Sequence, residues 1–139
     1  VLFRSFEAWQ DALYTDVQLS NPALVAPTAD PDGDGYAQLV AYAFGSASGA
    51  VPSSSRPVIS QAGNVLKLAF VRRVGATDVA IVAENATTPG GPWSALPGGQ
   101  YGAPVALGGG IEQVTATDTV ALDAEANARR FLRLRVSRL

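Results

Sequence analysis

The sequence predicts a mainly β fold: an antiparallel β-sandwich or sheet preceded by two short helices that flank an Asp-rich acidic loop. Three observations carry this. Apolar residues recur at three- and four-residue spacing as far as Phe44, and at two-residue spacing after Pro57. Turns rich in Gly and Pro separate the two-residue runs. Between successive runs nothing is long or periodic enough to be a crossover helix, apart from a turn at Asp123 to Ala128, so the strands are expected to pair antiparallel.

The elements follow in order. Val1 to Ser5 (VLFRS) is what one reading frame of a common sequencing-adapter end encodes; residues 1–5 are therefore set aside from the fold as an artefact, and any signal peptide would lie upstream. From Phe6 the stripe Phe6, Trp9, Leu13, Val17 predicts one amphipathic helix ending before Asn21-Pro22. A connection through Pro22 and Pro27 leads to Asp30, Asp32 and Asp34. Tyr36 to Phe44 predicts a second helix with Leu39, Val40, Ala43 and Phe44 toward a core and Gly45 in the C-terminal capping position. Residues 6–45 thus read as helix, acidic loop, helix. Residues 46–57, rich in Gly, Ser and Pro, read as a linker or loop. Residues 58–139 supply the sandwich, with 6–139 expected to form one domain.

Within that part Leu66, Leu68 and Phe70 alternate with Lys67, Ala69 and Val71, and the same alternation marks Val79 to Glu84 and Leu132 to Ser137. A fourth strand is expected at Glu112 to Val120, with shorter ones at Val58 to Ser60 and Trp93 to Leu96. Arg72, Arg73, Arg130, Arg133 and Arg135 read as charged gatekeepers against uncontrolled strand pairing.

Composition excludes several classes of function. The 139 residues are 47% hydrophobic, enough for one domain with a core. There is no Cys and no His, which removes the usual zinc sites, thiol nucleophiles and His-based triads. Serines cluster only at Ser53 to Ser55, Lys67 is the sole lysine, and no Gly-x-Ser-x-Gly elbow occurs, so no enzyme is expected. Net charge is −2, with six of twelve acidic residues before Gly35 and five of ten basic residues after Ala128. Those terminal arginines alternate with Leu132, Leu134 and Val136 as a solvated strand face would, and the isoelectric point is near 4.9, so nucleic acid is not an expected partner. No apolar run approaches the ~20 residues of a membrane span.

The motif with chemical content is the twelve-residue run DPDGDGYAQLVA, Asp30 to Ala41. Calcium takes many oxygen ligands, and alternate positions of a tight loop can turn several carboxylates inward. Asp30, Asp32 and Asp34 fall at loop positions one, three and five, Gly35 at the sharp turn, the Tyr36 carbonyl at seven and Gln38 at nine. Position twelve wants a bidentate acid and holds Ala41, so affinity is expected at the weak end, ~0.1 to 1 mM. Asp11 or Asp16 is a candidate replacement. A polar turn capping the next helix would account for one or two of the aspartates, but three in one turn repel each other without a cation. A second candidate chemistry is glycan stacking on Trp93 and Tyr101; Trp9, on the helix stripe, is expected in the core.

The stretch ADPDGDGYAQLVAYAFG, after an F-x-x-W helix and an NP turn, resembles the C-terminal module of large exported bacterial proteins. The usual signature of that module is ADPDGDG, two variable residues, then NLLEYALG. The loop type is shared with dockerin-like and thrombospondin type 3-like calcium repeats. LKLAFVRR, DVAIVAENATTPGGPWSAL and the closing RRFLRLRVSRL extend the resemblance over nearly the whole chain from Phe6. It implies a non-catalytic, calcium-stabilised structural or attachment module, extracellular or at the cell surface. Its partners would be the upstream passenger region of the same protein and a surface polymer or glycan. The implied ligands are Asp30, Asp32, Asp34 and the Tyr36 carbonyl, with Gln38 in place of the family's Asn and Ala41 in place of its Glu.

Overall fold

In the computed structural model, which describes residues 3–126 and 128–139, the helical period of the N-terminal part forms four short helices. These are α1 (Phe6–Leu13), α2 (Asp16–Leu19), α3 (Pro22–Val25) and α4 (Gln38–Ala43). The single helix expected up to Asn21 is therefore two. Thr15 breaks it by starting a new one: its hydroxyl accepts from Gln18 N–H while the Gln18 side chain accepts from Thr15 N–H, a reciprocal capping box. The break turns Val17 off the apolar stripe to 80% exposure, against its expected burial. Asn21 caps α3, whose first residue is Pro22. Of the segment set aside, Val1 and Leu2 lie outside the described residues, Phe3 packs against the core and the Ser5 hydroxyl caps α1.

Helix α4 begins without a side-chain cap; the Gln38 and Leu39 N–H groups bond to the carbonyls of Ala29 and Pro27 instead. It ends in a Schellman motif. Gly45 N–H bonds to Tyr42 O and Ser46 N–H to Ala41 O, with Gly45 at φ +80°. A Cβ at Gly45 would also run into Ile111 Cγ2, so both conformation and space demand glycine.

Seven strands follow among the described residues: β1 (Val58–Ala62), β2 (Val65–Arg73), β3 (Val79–Ala86), β4 (Ser94–Ala95), β5 (Val105–Gly108), β6 (Ile111–Thr117) and β7 (Phe131–Arg138). They form two antiparallel sheets, in the orders β1-β2-β6-β5 and β4-β3-β7. Strand β5 lies inside a stretch read as a Gly-rich loop. Phe70, Val114 and Ala116 of the first sheet meet Ala83, Leu132 and Leu134 of the second, with Leu96 and Tyr101 beside them.

The helices close one end of this sandwich. Phe6, Trp9 and Tyr42 cluster with ring centroids 5.6 to 5.9 Å apart, Phe6 stacked on Trp9 and edge-on to Tyr42, and α4 packs on Val71, Ile81, Leu134 and Val136. Two polar ties fix the layer. Trp9 Nε1 donates to Ser46 O, and Asp78, in the β2–β3 loop, accepts from Phe6 N–H at 2.7 Å and Tyr42 Oη at 2.9 Å. Residues 46–57 do not hang free: Ser46, Gly49 and Val51 are buried against the helices.

Two of the five gatekeepers are not on the surface. Arg73 is buried, donating to the Tyr42 and Ser46 carbonyls at the C-terminal end of α4 and lying 4.9 Å from the Tyr42 ring. Arg130 is buried in a bidentate pair with Asp118. Their guanidinium groups serve interior carbonyl and carboxylate oxygens.

Candidate functional site

The connection from α3 to α4 places three carboxylates together: one oxygen from each of Asp30, Asp32 and Asp34 lies within 4.8 Å of the others. Local backbone chemistry builds this arrangement. Gly33 and Gly35 adopt φ +68° and +88°, which lets the chain curl around its own side chains. Asp30 Oδ2 accepts from Gly35 N–H at 3.0 Å, Asp32 Oδ1 from Asp34 N–H at 3.4 Å, and Asp34 Oδ1 from Tyr36 N–H at 2.9 Å. Asp34 Oδ2 reaches across the chain to Val51 N–H at 2.8 Å, which binds the 46–57 segment to the loop.

The three carboxylates differ in surroundings. For Asp32, desolvation and the neighbouring Asp30 and Asp34 disfavour charge and push its carboxyl above the ordinary value. For Asp34, desolvation acts the same way, but the N–H bonds from Val51 and Tyr36 outweigh it and hold the carboxyl below the ordinary value. A cation among the three would remove the repulsion at Asp32.

Gln38, at loop position nine, is 1% exposed. Its Nε2 donates to Tyr14 Oη at 3.0 Å, while its Oε1 is the one buried side-chain polar atom without a hydrogen-bond partner among the described residues. An unpartnered amide oxygen at the ninth position of the loop is the type of donor that a hard cation takes. Ala41, at position twelve, is wholly buried in the core and offers no ligand. Neither Asp11 nor Asp16, both exposed on α1 and α2, joins the carboxylate group.

The aromatic candidates are placed differently. Trp93 is half-buried on the outward face of the β3–β7 sheet with the Arg133 guanidinium 4.2 Å from its ring centre, so one ring face is covered. Tyr101 turns into the core between the sheets, where its hydroxyl accepts from Ala83 N–H at 2.9 Å. The two rings form no common platform. Trp9 is buried, as expected. No family model, curated protein or solved structure matches the chain.

Two ionic clusters went unread in the sequence. Asp118, buried, accepts from Arg130 Nε at 2.9 Å and Nη2 at 3.0 Å, and from Asn85 Nδ2 at 2.8 Å. Burial would raise its carboxyl, but these hydrogen bonds and the Arg130 charge hold it below the ordinary value. Glu84, also buried, opposes Arg133 across β3 and β7 and accepts from Arg133 Nε at 2.9 Å and Arg135 Nε at 3.1 Å. The balance is the same: burial raises it, the two arginines outweigh burial, and its carboxyl lies low. Opposite charges at alternate positions of two strands are visible in the sequence, but only once their register is known.

Proposed function

We propose that the loop from Asp30 to Gln38 is a weak calcium site and that the protein is a non-catalytic, calcium-stabilised structural or attachment module of an exported protein. The observation that carries the proposal is the loop's geometry: three carboxylates converge while the next polar side chain in the ligand spacing, Gln38, keeps a buried oxygen without a partner. Asp30, Asp32, Asp34, the Tyr36 carbonyl and Gln38 would hold the ion. Calcium there would neutralise the loop and brace the junction at which Asp34 ties residues 46–57 to the loop.

Export, a surface location and a passenger region upstream rest on the resemblance set out above. Carbohydrate binding, the other reading, has less support, because Trp93 is stacked beneath Arg133 and Tyr101 is in the core.

Thermal melting tests the proposal. At 10 mM calcium a site of ~0.1 to 1 mM affinity contributes roughly 1.4 to 2.7 kcal/mol, a rise in Tm of about 5 °C or more that a chelator reverses. Equal melting with calcium and with chelator would sink it.

A further inference from the structure

Sheet β4-β3-β7 ends at β7, and among the described residues no strand pairs with its second edge. That edge is eight residues long and contains no proline. Its inward side chains Leu132, Leu134 and Val136 are only half-buried, whereas Ala83 beside them on β3 is fully buried. The facing sheet ends in the same place. Ile59 of β1 pairs with the buried Leu68, pointing to the inner side of the sandwich, yet it is 50% exposed. Between these lips runs a groove of about 380 Å³, floored by Val40 and Phe44 of the helical layer. The sandwich is open where a further strand would close it.

Arginines flank the groove: Arg133 is among its lining residues, Arg135 lies two residues farther along β7, and Arg56 precedes the lining residue Pro57. Arg133 and Arg135, with side chains 45% and 49% exposed, share one carboxylate, Glu84, through their Nε atoms alone. Arg56 adds a third guanidinium, 5.7 Å from the Tyr36 ring. A second copy of β7 laid on this edge would set arginine against arginine, which is unfavourable for directly opposed residues.

We infer that this groove takes an extended peptide strand with apolar residues at alternate positions and acidic residues between them, added to the free edge of β7. The apolar side chains would enter the groove beside Leu132, Leu134 and Val136, the backbone would complete the sheet, and the carboxylates would meet Arg133, Arg135 and Arg56.

A labelled peptide of about nine residues alternating glutamate with valine or leucine, followed by fluorescence anisotropy, tests this. It is expected to bind at least ~tenfold more tightly than the same peptide with lysine for glutamate, and to lose binding when alternate amides are N-methylated. Arg135→Glu and, separately, Arg56→Glu should each weaken it several-fold; Arg56 donates no side-chain hydrogen bond among the described residues, so its replacement does not put the fold at risk. No binding at ~1 mM peptide, equal binding of the two peptides, or indifference to N-methylation would each overturn the inference. So would concentration-dependent dimers in light scattering that Ile59→Lys dissolves, because the groove would then belong to a second copy.

Discussion

At the residue scale the largest single dependence falls on Asp118. Its side chain is fully buried and compensates Arg130, itself almost fully buried, so Asp118→Ala strands a buried cation. The expected loss is about 3–5 kcal/mol in denaturant or thermal unfolding, against a change within about 0.5 kcal/mol for Asp11→Ala on the exposed side of α1. The same group sets an acid limit. Asp118 and Glu84 titrate lower in the folded chain than in the unfolded one, so the stability they contribute is present above the unfolded carboxylate range, ~4, and is lost as pH falls through the lower folded values. Unfolding free energy should stay flat near neutrality and drop below pH ~4, with a shallower drop in Asp118→Asn; an identical slope in that variant would contradict the assignment. The aspartate spacing of the loop was legible in the sequence because all its members lie within five residues. The Asp118 clasp was not, because its partners Arg130 and Asn85 stand 12 and 33 residues away and only the folded chain brings them together.

At the element scale, local signals were legible where each residue's partner is near in sequence. The Gly45 cap is one such case. Gly45→Ala should cost about 1–3 kcal/mol, from the left-handed backbone, with more from the contact at Ile111, and the readout is Tm with helix content by circular dichroism. An unchanged Tm would mean that the end of α4 can rearrange. The capping box at Thr15 and Gln18 was equally local, yet the apolar stripe running through it masks the break. Strands β2 and β3 announce themselves by alternation because one side of each meets the core. Strands β1 and β5 are exposed along their whole length, so nothing selects an alternating pattern, and β5 reads as loop.

At the scale of the whole molecule, two sheets, a helical end and an acidic loop depend on one junction. Asp34 holds the backbone of residue 51, Trp9 and Arg73 share the Ser46 carbonyl, and Asp78 fastens α1 and α4 to the β2–β3 loop. The sandwich class followed from the change of period at Pro57. The way the helices plug one end of it did not, because that depends on long-range contacts such as Trp9 to Ser46. Among the loop carboxylates Asp32 gives the cleanest test. It is exposed and accepts one long hydrogen bond, whereas replacing Asp34 would also free Val51 and Tyr36. The most direct measurement is calorimetric titration of calcium into the protein and into Asp32→Ala. The expected result is one site of ~0.1 to 1 mM affinity in the former and none in the latter, with the calcium-free melting temperatures within a few degrees of each other. No heat in the unaltered protein, or the same binding in Asp32→Ala, would contradict a calcium site in this loop.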